Sequence, residues 1–211
     1  MEPSAKGSVV MGVVASLRSA KKNGRVSEEQ LAARLSSAAF ALYERKIEIG
    51  LWYPMAAFGE LVEFEWQLAG KDPDYARRSG VQSADRMFDA GIYQQLDYAQ
   101  RTDKAQTREA LLRQSKLITT VTGTLYSYLQ TSVRFTPDGS QLEIVYANAE
   151  LFSEPLRLST EGFMNRVNER QGSSRRWTSE RTKPGEIVFR MKVPTRIGRS
   201  AAPEPADSRA R

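Results

Sequence analysis

Near Thr131 the apolar residues change from a helical to an alternating interval, and that change constrains the fold more than any other feature. Before it, apolar residues recur at helical intervals, as at positions 9, 10, 13, 14 and 17. After it, apolar and polar residues alternate on either side of residues 136–140 (Thr-Pro-Asp-Gly-Ser), where proline presets φ and glycine accepts a positive φ. The sequence therefore predicts helices first and antiparallel strands second.

About five helices are predicted between residues 8 and 130. Ser27 and Gln30 form a Ser-x-x-Gln capping box at the start of the second. Apolar residues share one face of that helix: Leu31, Leu35, Ala38 and Leu42. Pro54 and residues 72–73 (Asp-Pro) are typical of the first turns of two further helices. Residues 47–51 alternate instead, which predicts a short extended segment before Pro54.

The C-terminal part is predicted as two hairpins separated by a helix. The elements are strands over 132–135 and 142–147, a helix opened by Pro155 and ended by Gly172, and strands over 175–181 and 186–193. The predicted fold class is α+β, with an N-terminal layer of about five helices packed on a C-terminal antiparallel sheet of ββαββ order.

The 211 residues are predicted to form a single domain with two flexible ends. The predicted parts are a flexible leader over 1–7, one α+β domain over 8–194 (helical over 8–130, ββαββ over 131–194) and a disordered basic tail over 195–211.

The chain contains no histidine and no cysteine. Disulfides, thiol nucleophiles, Cys-type zinc sites and the usual proximal haem ligand are therefore excluded, and we expect no cofactor and no metal site. The carboxylates Glu60, Glu63, Glu65, Asp85 and Asp89 are predicted to lie on solvated helix faces, so we expect no enzyme. The apolar run 9–17 is far shorter than the roughly 20 residues of a membrane span, which favours a cytoplasmic protein.

The basic excess is confined to the C-terminal end. Residues 165–211 hold twelve lysines and arginines against five acidic residues, whereas the net charge of the whole chain is +6. Six cations of the second hairpin form a candidate partner surface: Arg175, Arg176, Arg181, Lys183, Arg190 and Lys192. The alternative is a sheet edge kept soluble by its charge.

Trp177 tests the register of the second hairpin. If residues 184–185 form a strict two-residue turn, Trp177 lies opposite Lys192 on the charged face. An odd-length loop instead places it opposite Phe189 in the core. We expect the core, because an exposed indole forfeits on the order of 2 kcal/mol of burial.

Several of these features occur together in a known superfamily. They are the helix starts at residues 52–54 (Trp-Tyr-Pro) and 72–73, Gly80, residues 91–93 (Gly-Ile-Tyr), and the hairpin, helix and hairpin that follow. Over about residues 8–193 the chain resembles the haem-NO-binding and 4-vinyl-reductase-like superfamily, which shares its fold with subunits of the Golgi tethering complex. The resemblance is strongest to uncharacterised bacterial branches expanded in myxobacteria.

That resemblance implies a ligand pocket between a helical layer and an antiparallel sheet, in a chain that has no histidine for haem iron. The candidate pocket residues are the aromatics Trp52, Tyr53, Tyr93 and Tyr126, which could equally be packing residues. The implied function is a non-catalytic bacterial signalling, regulatory or scaffold domain that binds a small apolar ligand, a protein partner or a second copy of itself. The alternative is a basic protein that associates with nucleic acid through the C-terminal hairpin and tail.

Overall fold

A computed structural model describes residues 2–89 and 108–193. The helices are α1 (Gly7–Lys22), α2 (Glu28–Arg34), α3 (Ser37–Glu44), α4 (Met55–Leu68), α5 (Pro73–Asp89), α6 (Arg108–Leu125) and α7 (Glu154–Arg170). The strands are β1 (Ser4–Lys6), β2 (Trp52–Pro54), β3 (Gln130–Phe135), β4 (Gln141–Ala147), β5 (Trp177–Lys183) and β6 (Glu186–Lys192). The predicted α+β class is confirmed, while the predicted tail over 195–211 lies outside the described residues.

The N-terminal residues are part of the fold rather than the flexible leader that we expected over 1–7. Strand β1 pairs antiparallel with β2, with Ala5 opposite Tyr53, and Ala5 is completely buried. The amide of Ser127 also donates a hydrogen bond to the carbonyl of Ser4 at 3.0 Å. Three residues are too few to show an alternating pattern, and their pairing partner lies about fifty residues away. The extended segment expected over 47–51 is correspondingly displaced to β2.

The predicted second helix is two helices, α2 and α3. The capping box at Ser27 and Gln30 is confirmed, because each side chain bonds the other residue's backbone amide. The break comes at Ser36, whose hydroxyl caps α3 by accepting from the amide of Ala39. Glu60 of α4 fixes this break, since its carboxylate accepts hydrogen bonds from the amide and the hydroxyl of Ser36, each at 2.9 Å.

The main sheet is antiparallel, with strand order β3-β4-β6-β5. Its two hairpins flank α7 in the chain, and β4 pairs with β6 at the centre. One face contributes fully buried residues to the core: Leu142, Ile144, Ile187 and Phe189. Tyr146 on the same face meets the ring of Phe152 edge-on, with 5.8 Å between centroids. The helical layer therefore packs on a sheet whose central strands supply the floor of the core.

Trp177 is buried, as predicted, with 2 % of its surface exposed. Lys183 and Glu186 pair as a two-residue turn requires, but the register shifts between Arg181 and Lys183. That irregularity moves Trp177 from opposite Lys192 to opposite Met191, and not to opposite Phe189 as we expected. Asn165 of α7 then holds the edge strand by accepting from the amide of Trp177 and donating to its carbonyl.

Helices α5 and α7 approach each other closely because each has a glycine at the contact. A β carbon at Gly80 would overlap the carbonyl of Ser159, and one at Gly162 would overlap the carbonyl of Arg77. Ion pairs tie the same two helices: Arg77 to Glu161 at 2.8 Å, and Arg166 and Arg170 to Asp85 at 2.9 Å each. This contact forms one wall of the cavities described below.

Candidate functional site

Two adjacent cavities lie within the helical layer. The larger, about 200 Å³, lies between α1, α4, α5 and α7 and is lined mainly by polar side chains. The smaller, about 80 Å³, lies between α1, α5, α6, α7 and strand β4 and is lined mainly by apolar ones. We call them the polar cavity and the apolar cavity. Five residues line both: Val9, Ser83, Tyr126, Leu156 and Ser159.

Tyr126 lies where the two cavities meet. It is 8 % exposed, its backbone bridges to Ala5 of β1, and its ring meets that of Phe152 edge-on with 5.2 Å between centroids. Burial, with smaller contributions from Tyr128 and Tyr146, raises the pKa of the Tyr126 phenol well above its ordinary value. Within residues 2–89 and 108–193 its hydroxyl makes no hydrogen bond. Tyr126 is therefore a neutral phenol with an unused donor.

Two of the hydroxyls that line the apolar cavity pair with each other. The hydroxyls of Thr122 and Tyr146 are 2.8 Å apart, and Thr122 donates to the carbonyl of Ile118 as well. Burial raises the pKa of the Tyr146 phenol, although its contact with Thr122 acts in the opposite direction. Most of the remaining lining is apolar, and its members include Met87, Ile118, Val121, Leu125, Phe163 and Met164. Such a cavity suits an apolar group.

The polar cavity contains a half-buried carboxylate. Glu65 of α4 accepts a hydrogen bond from the hydroxyl of Tyr75 on α5 at 2.9 Å. Burial raises the pKa of the Glu65 carboxyl, although hydrogen bonds from Ser16 and Tyr75 and the charge of Arg86 act in the opposite direction. We expected Glu65 to be solvated, but it shares a helix face with the buried Leu61 one turn earlier.

The polar cavity also contains two arginines of α5 in different states. Arg78 is paired with Asp72 at 3.0 Å. Arg86 makes neither a hydrogen bond nor an ion pair with any residue that the structure describes. A β carbon at Gly12 would lie 3.5 Å from Nη2 of Arg86, so this guanidinium lies beside α1 at a point where that helix has no side chain. Arg86 was not among the residues that the sequence indicated.

Of the four predicted pocket residues, the structure places only Tyr126 at the cavities. Tyr53 is buried, but its hydroxyl accepts from the amide of Glu48 at 2.8 Å and it lines neither cavity. Trp52 is 43 % exposed, with the ammonium of Lys6 4.4 Å from its ring centroid. Adjacent residues of a strand point to opposite faces, so β2 buries one aromatic and exposes the other. Tyr93 lies outside the described residues.

Most of the predicted partner surface is engaged within the chain. Arg176 pairs with Glu169 at 2.6 Å, Lys183 with Glu186 at 3.4 Å, and Arg190 with Glu143 at 2.8 Å. Counting charge along the last 47 residues misses Glu143, because that carboxylate comes from β4, earlier in the chain. These pairs reduce the positive field that we expected over this hairpin.

The remaining three cations differ from one another. Arg181 donates to the backbone carbonyls of Ala149 at 3.0 Å, Pro184 at 2.6 Å and Phe152, so it fastens the hairpin to the segment before α7. Burial lowers the pKa of Arg175, which is half-buried and has contacts of its own. Lys192 is exposed. The six cations therefore do not form one free basic surface.

The architecture is that of the H-NOX domains. The comparable structures include a single-substitution variant of the Fe(II) unliganded H-NOX protein from K. algicida, at 17 % identity and a TM-score of 0.59, covering 89 % of this chain and 95 % of that one. The unsubstituted K. algicida protein matches at 14 % identity and a TM-score of 0.54, with the same coverage. A variant of T. tengcongensis H-NOX matches at 14 % and 0.51, covering 89 % and 96 %.

These identities show the fold alone, and the predicted fold relationship is confirmed to that extent. No family model matches the sequence, and no curated protein matches it. In the described part of the chain, no helix has the length and apolar character needed to cross a membrane, and no cluster of three or more acidic side chains forms a metal site.

The described walls do not fit a haem group. Even together, the apolar cavity of about 80 Å³ and the polar cavity of about 200 Å³ do not reach the roughly 300–1,000 Å³ of typical cofactor sites. The whole sequence offers no histidine or cysteine as an iron ligand. Tyr126 and Tyr146 line the cavity, but burial raises the pKa of both phenols and disfavours the tyrosinate that iron would need.

Proposed function

We propose that this protein is a non-catalytic sensor or regulatory domain of bacterial signalling that has the H-NOX fold and works without haem. Its ligand is a small molecule whose apolar part enters the apolar cavity. The observation that carries the proposal is this mainly apolar cavity between α1, α5, α6, α7 and the sheet, in which the hydroxyls of Thr122 and Tyr146 bond each other. Such walls offer apolar contact area but few groups that could take part in a reaction, which suits binding rather than catalytic turnover.

Signalling requires the ligand to favour one arrangement of the helices over another. The apolar cavity is well placed for this, because its walls come from four helices (α1, α5, α6 and α7) and the central strand β4. A ligand there would fix α6 against the closely packed pair α5 and α7. The signal would then pass to a protein partner or to a second copy of the chain.

Native mass spectrometry tests the proposal directly. We expect extra mass on the purified protein that is lost on denaturation, and no Soret absorbance after expression with a haem precursor. Leu125→Trp should remove the extra mass by filling the cavity. Leu112→Trp is the matched control on the same helix, since Leu112 is also half-buried and lines neither cavity.

A clean apo mass from the full-length protein, together with no response to Leu125→Trp, would contradict ligand binding. A stoichiometric Soret band would contradict the haem-free part of the proposal. The same native spectrum reports the oligomeric state, and a monomer at all concentrations would remove the homodimer.

A further inference from the structure

We propose that the ligand is amphipathic and carries a carboxylate: its apolar part occupies the apolar cavity, and its carboxylate pairs with Arg86 in the polar cavity. This inference rests on the proposed function and adds the chemical class of the ligand. The apolar cavity would bind the apolar part, the polar cavity would bind the carboxylate, and the residues between them would offer a hydrogen-bond donor.

The two cavities adjoin at a shared wall, which is formed by Val9, Ser83, Tyr126, Leu156 and Ser159. A ligand that reaches from one to the other passes from an apolar to a polar surrounding. The apolar cavity alone, at about 80 Å³, holds only a short apolar group. The adjoining space of about 200 Å³ accommodates the rest of a longer molecule.

Arg86 supplies the charge. The neighbouring cations of α5 and α7 are neutralised, since Arg78 pairs with Asp72 and Arg166 pairs with Asp85. Of the two arginines in this cavity, Arg86 makes no ion pair or hydrogen bond with a described residue, although its charge already acts on the carboxyl of Glu65 in the same cavity. A guanidinium presents two parallel N–H donors to a carboxylate, which gives both charge and geometry.

Tyr126 supplies a donor at the junction. Its phenol is more than nine-tenths buried and its hydroxyl has no partner within the described part of the chain. The hydroxyls of Ser83 and Ser159 line the same junction. A polar atom of the ligand would complete this set.

The cavity favours an acid over an amine. Glu65 is the carboxylate of this cavity, and it already accepts a hydrogen bond from Tyr75. An ammonium group would have to compete for Glu65 and would meet the charge of Arg86. A carboxylate would meet a guanidinium that forms no ion pair with a described residue and, at the junction, the neutral donor of Tyr126, and it would share that guanidinium with Glu65.

Three probes of equal chain length separate the contributions: octanoate, octanol and octylamine, added to the full-length protein at pH 7 and followed by thermal shift and native mass spectrometry. We expect octanoate to bind at least about tenfold more tightly than octanol, the effect of one charge-assisted hydrogen-bonded pair, and octylamine to bind least. Arg86→Gln should lower octanoate affinity to that of octanol and leave octanol unchanged. Arg34→Gln, an exposed arginine on α2, is the matched control and should change neither.

Tyr126→Phe should weaken octanoate and octanol alike, because it removes the neutral donor and keeps the ring. Equal binding of octanoate by Arg86→Gln and the unmodified protein would overturn the acidic ligand and leave the apolar site intact. Stronger binding of octylamine than octanoate would overturn it as well. If none of the three probes binds and the native mass is that of the bare chain, the proposed function fails together with this inference.

Discussion

Gly80 of α5 lies directly against the backbone carbonyl of Ser159 on α7, with no room for a β carbon between them. The reciprocal contact joins Gly162 of α7 to the carbonyl of Arg77 on α5. Two helices that meet through backbone atoms cannot adjust by moving a side chain. The spacing of α5 and α7, and with it one wall of both cavities, therefore depends on the absence of a side chain at Gly80 and at Gly162.

Gly162→Ala is expected to destabilise the protein by about 3 kcal/mol or more, because the new methyl group must displace backbone rather than a flexible side chain. The free energy of unfolding in urea measures this. Gly123→Ala on α6 is the matched control, since no atom lies within 4 Å of the position that its β carbon would take. There the substitution should stabilise by about 0.5–1 kcal/mol. Equal effects at both sites would contradict the close contact.

Trp177→Ala is expected to cost about 3–5 kcal/mol, the range for removing a large buried side chain. Trp52→Ala should cost less than about 1 kcal/mol, because Trp52 is 43 % exposed and its main contact is the ammonium of Lys6. Chemical denaturation of the two variants makes the comparison. Similar losses would mean that the irregularity at Thr182 does not hold Trp177 in the core.

Glu143→Gln is expected to make the stability of the protein depend less on pH in the acid range. Burial alone would raise the pKa of the Glu143 carboxyl, but hydrogen bonds from Arg134 and Arg190 outweigh it and the net direction is down. A lowered pKa in the folded state contributes stability that is complete above the ordinary value near 4.5 and is lost as pH falls through the folded value. The unmodified protein and the variant should therefore converge in acid.

Thermal denaturation between pH 3 and pH 7 measures this convergence. Glu109→Gln removes an exposed carboxyl at the start of α6 and serves as the control. Parallel profiles for the unmodified protein and Glu143→Gln would show that the carboxylate does not stabilise the fold.

Arg181→Met is expected to cost about 2 kcal/mol, because it leaves backbone carbonyls before α7 and in the turn without their charged donor. Lys192→Met, on the adjacent strand, should stay within about 0.5 kcal/mol. Unfolding in urea distinguishes a structural arginine from a surface cation. If Arg181→Met unfolds like the unmodified protein, Arg181 remains available as part of a partner surface.

Features set by neighbouring residues could be predicted from the sequence. The capping box at Ser27, the turn over 136–140 and the start of α7 near Pro155 each need only a few consecutive residues. Pairings between distant segments could not. Nothing near Ala5 indicates that it pairs with Tyr53, and nothing in the basic hairpin indicates that Glu143 neutralises Arg190.

The candidate site follows the same rule. Tyr126 could be predicted as a pocket residue, because it is an aromatic residue near the end of a predicted helix. Tyr53 is also a tyrosine, but its hydroxyl accepts a hydrogen bond from the amide of Glu48, which the sequence does not indicate. Arg86 could not be distinguished from the other arginines of α5. Arg77 and Arg78 each form an ion pair, whereas Arg86 forms none with a described residue, and those pairs depend on where α7 and residue 72 lie.

The glycine contact between α5 and α7 has a consequence for the chain as a whole. It joins a helix of the N-terminal helical part to the helix between the two hairpins. The sequence pattern, by contrast, suggests a boundary near residue 130 between the helical part and the ββαββ part. If the protein were divided at that boundary, each half would expose the backbone around its contact glycine to solvent. The arginines and carboxylates of each half would also lose their ion-pair partners in the other. The halves should recover their structure only when they are mixed, as complementing fragments.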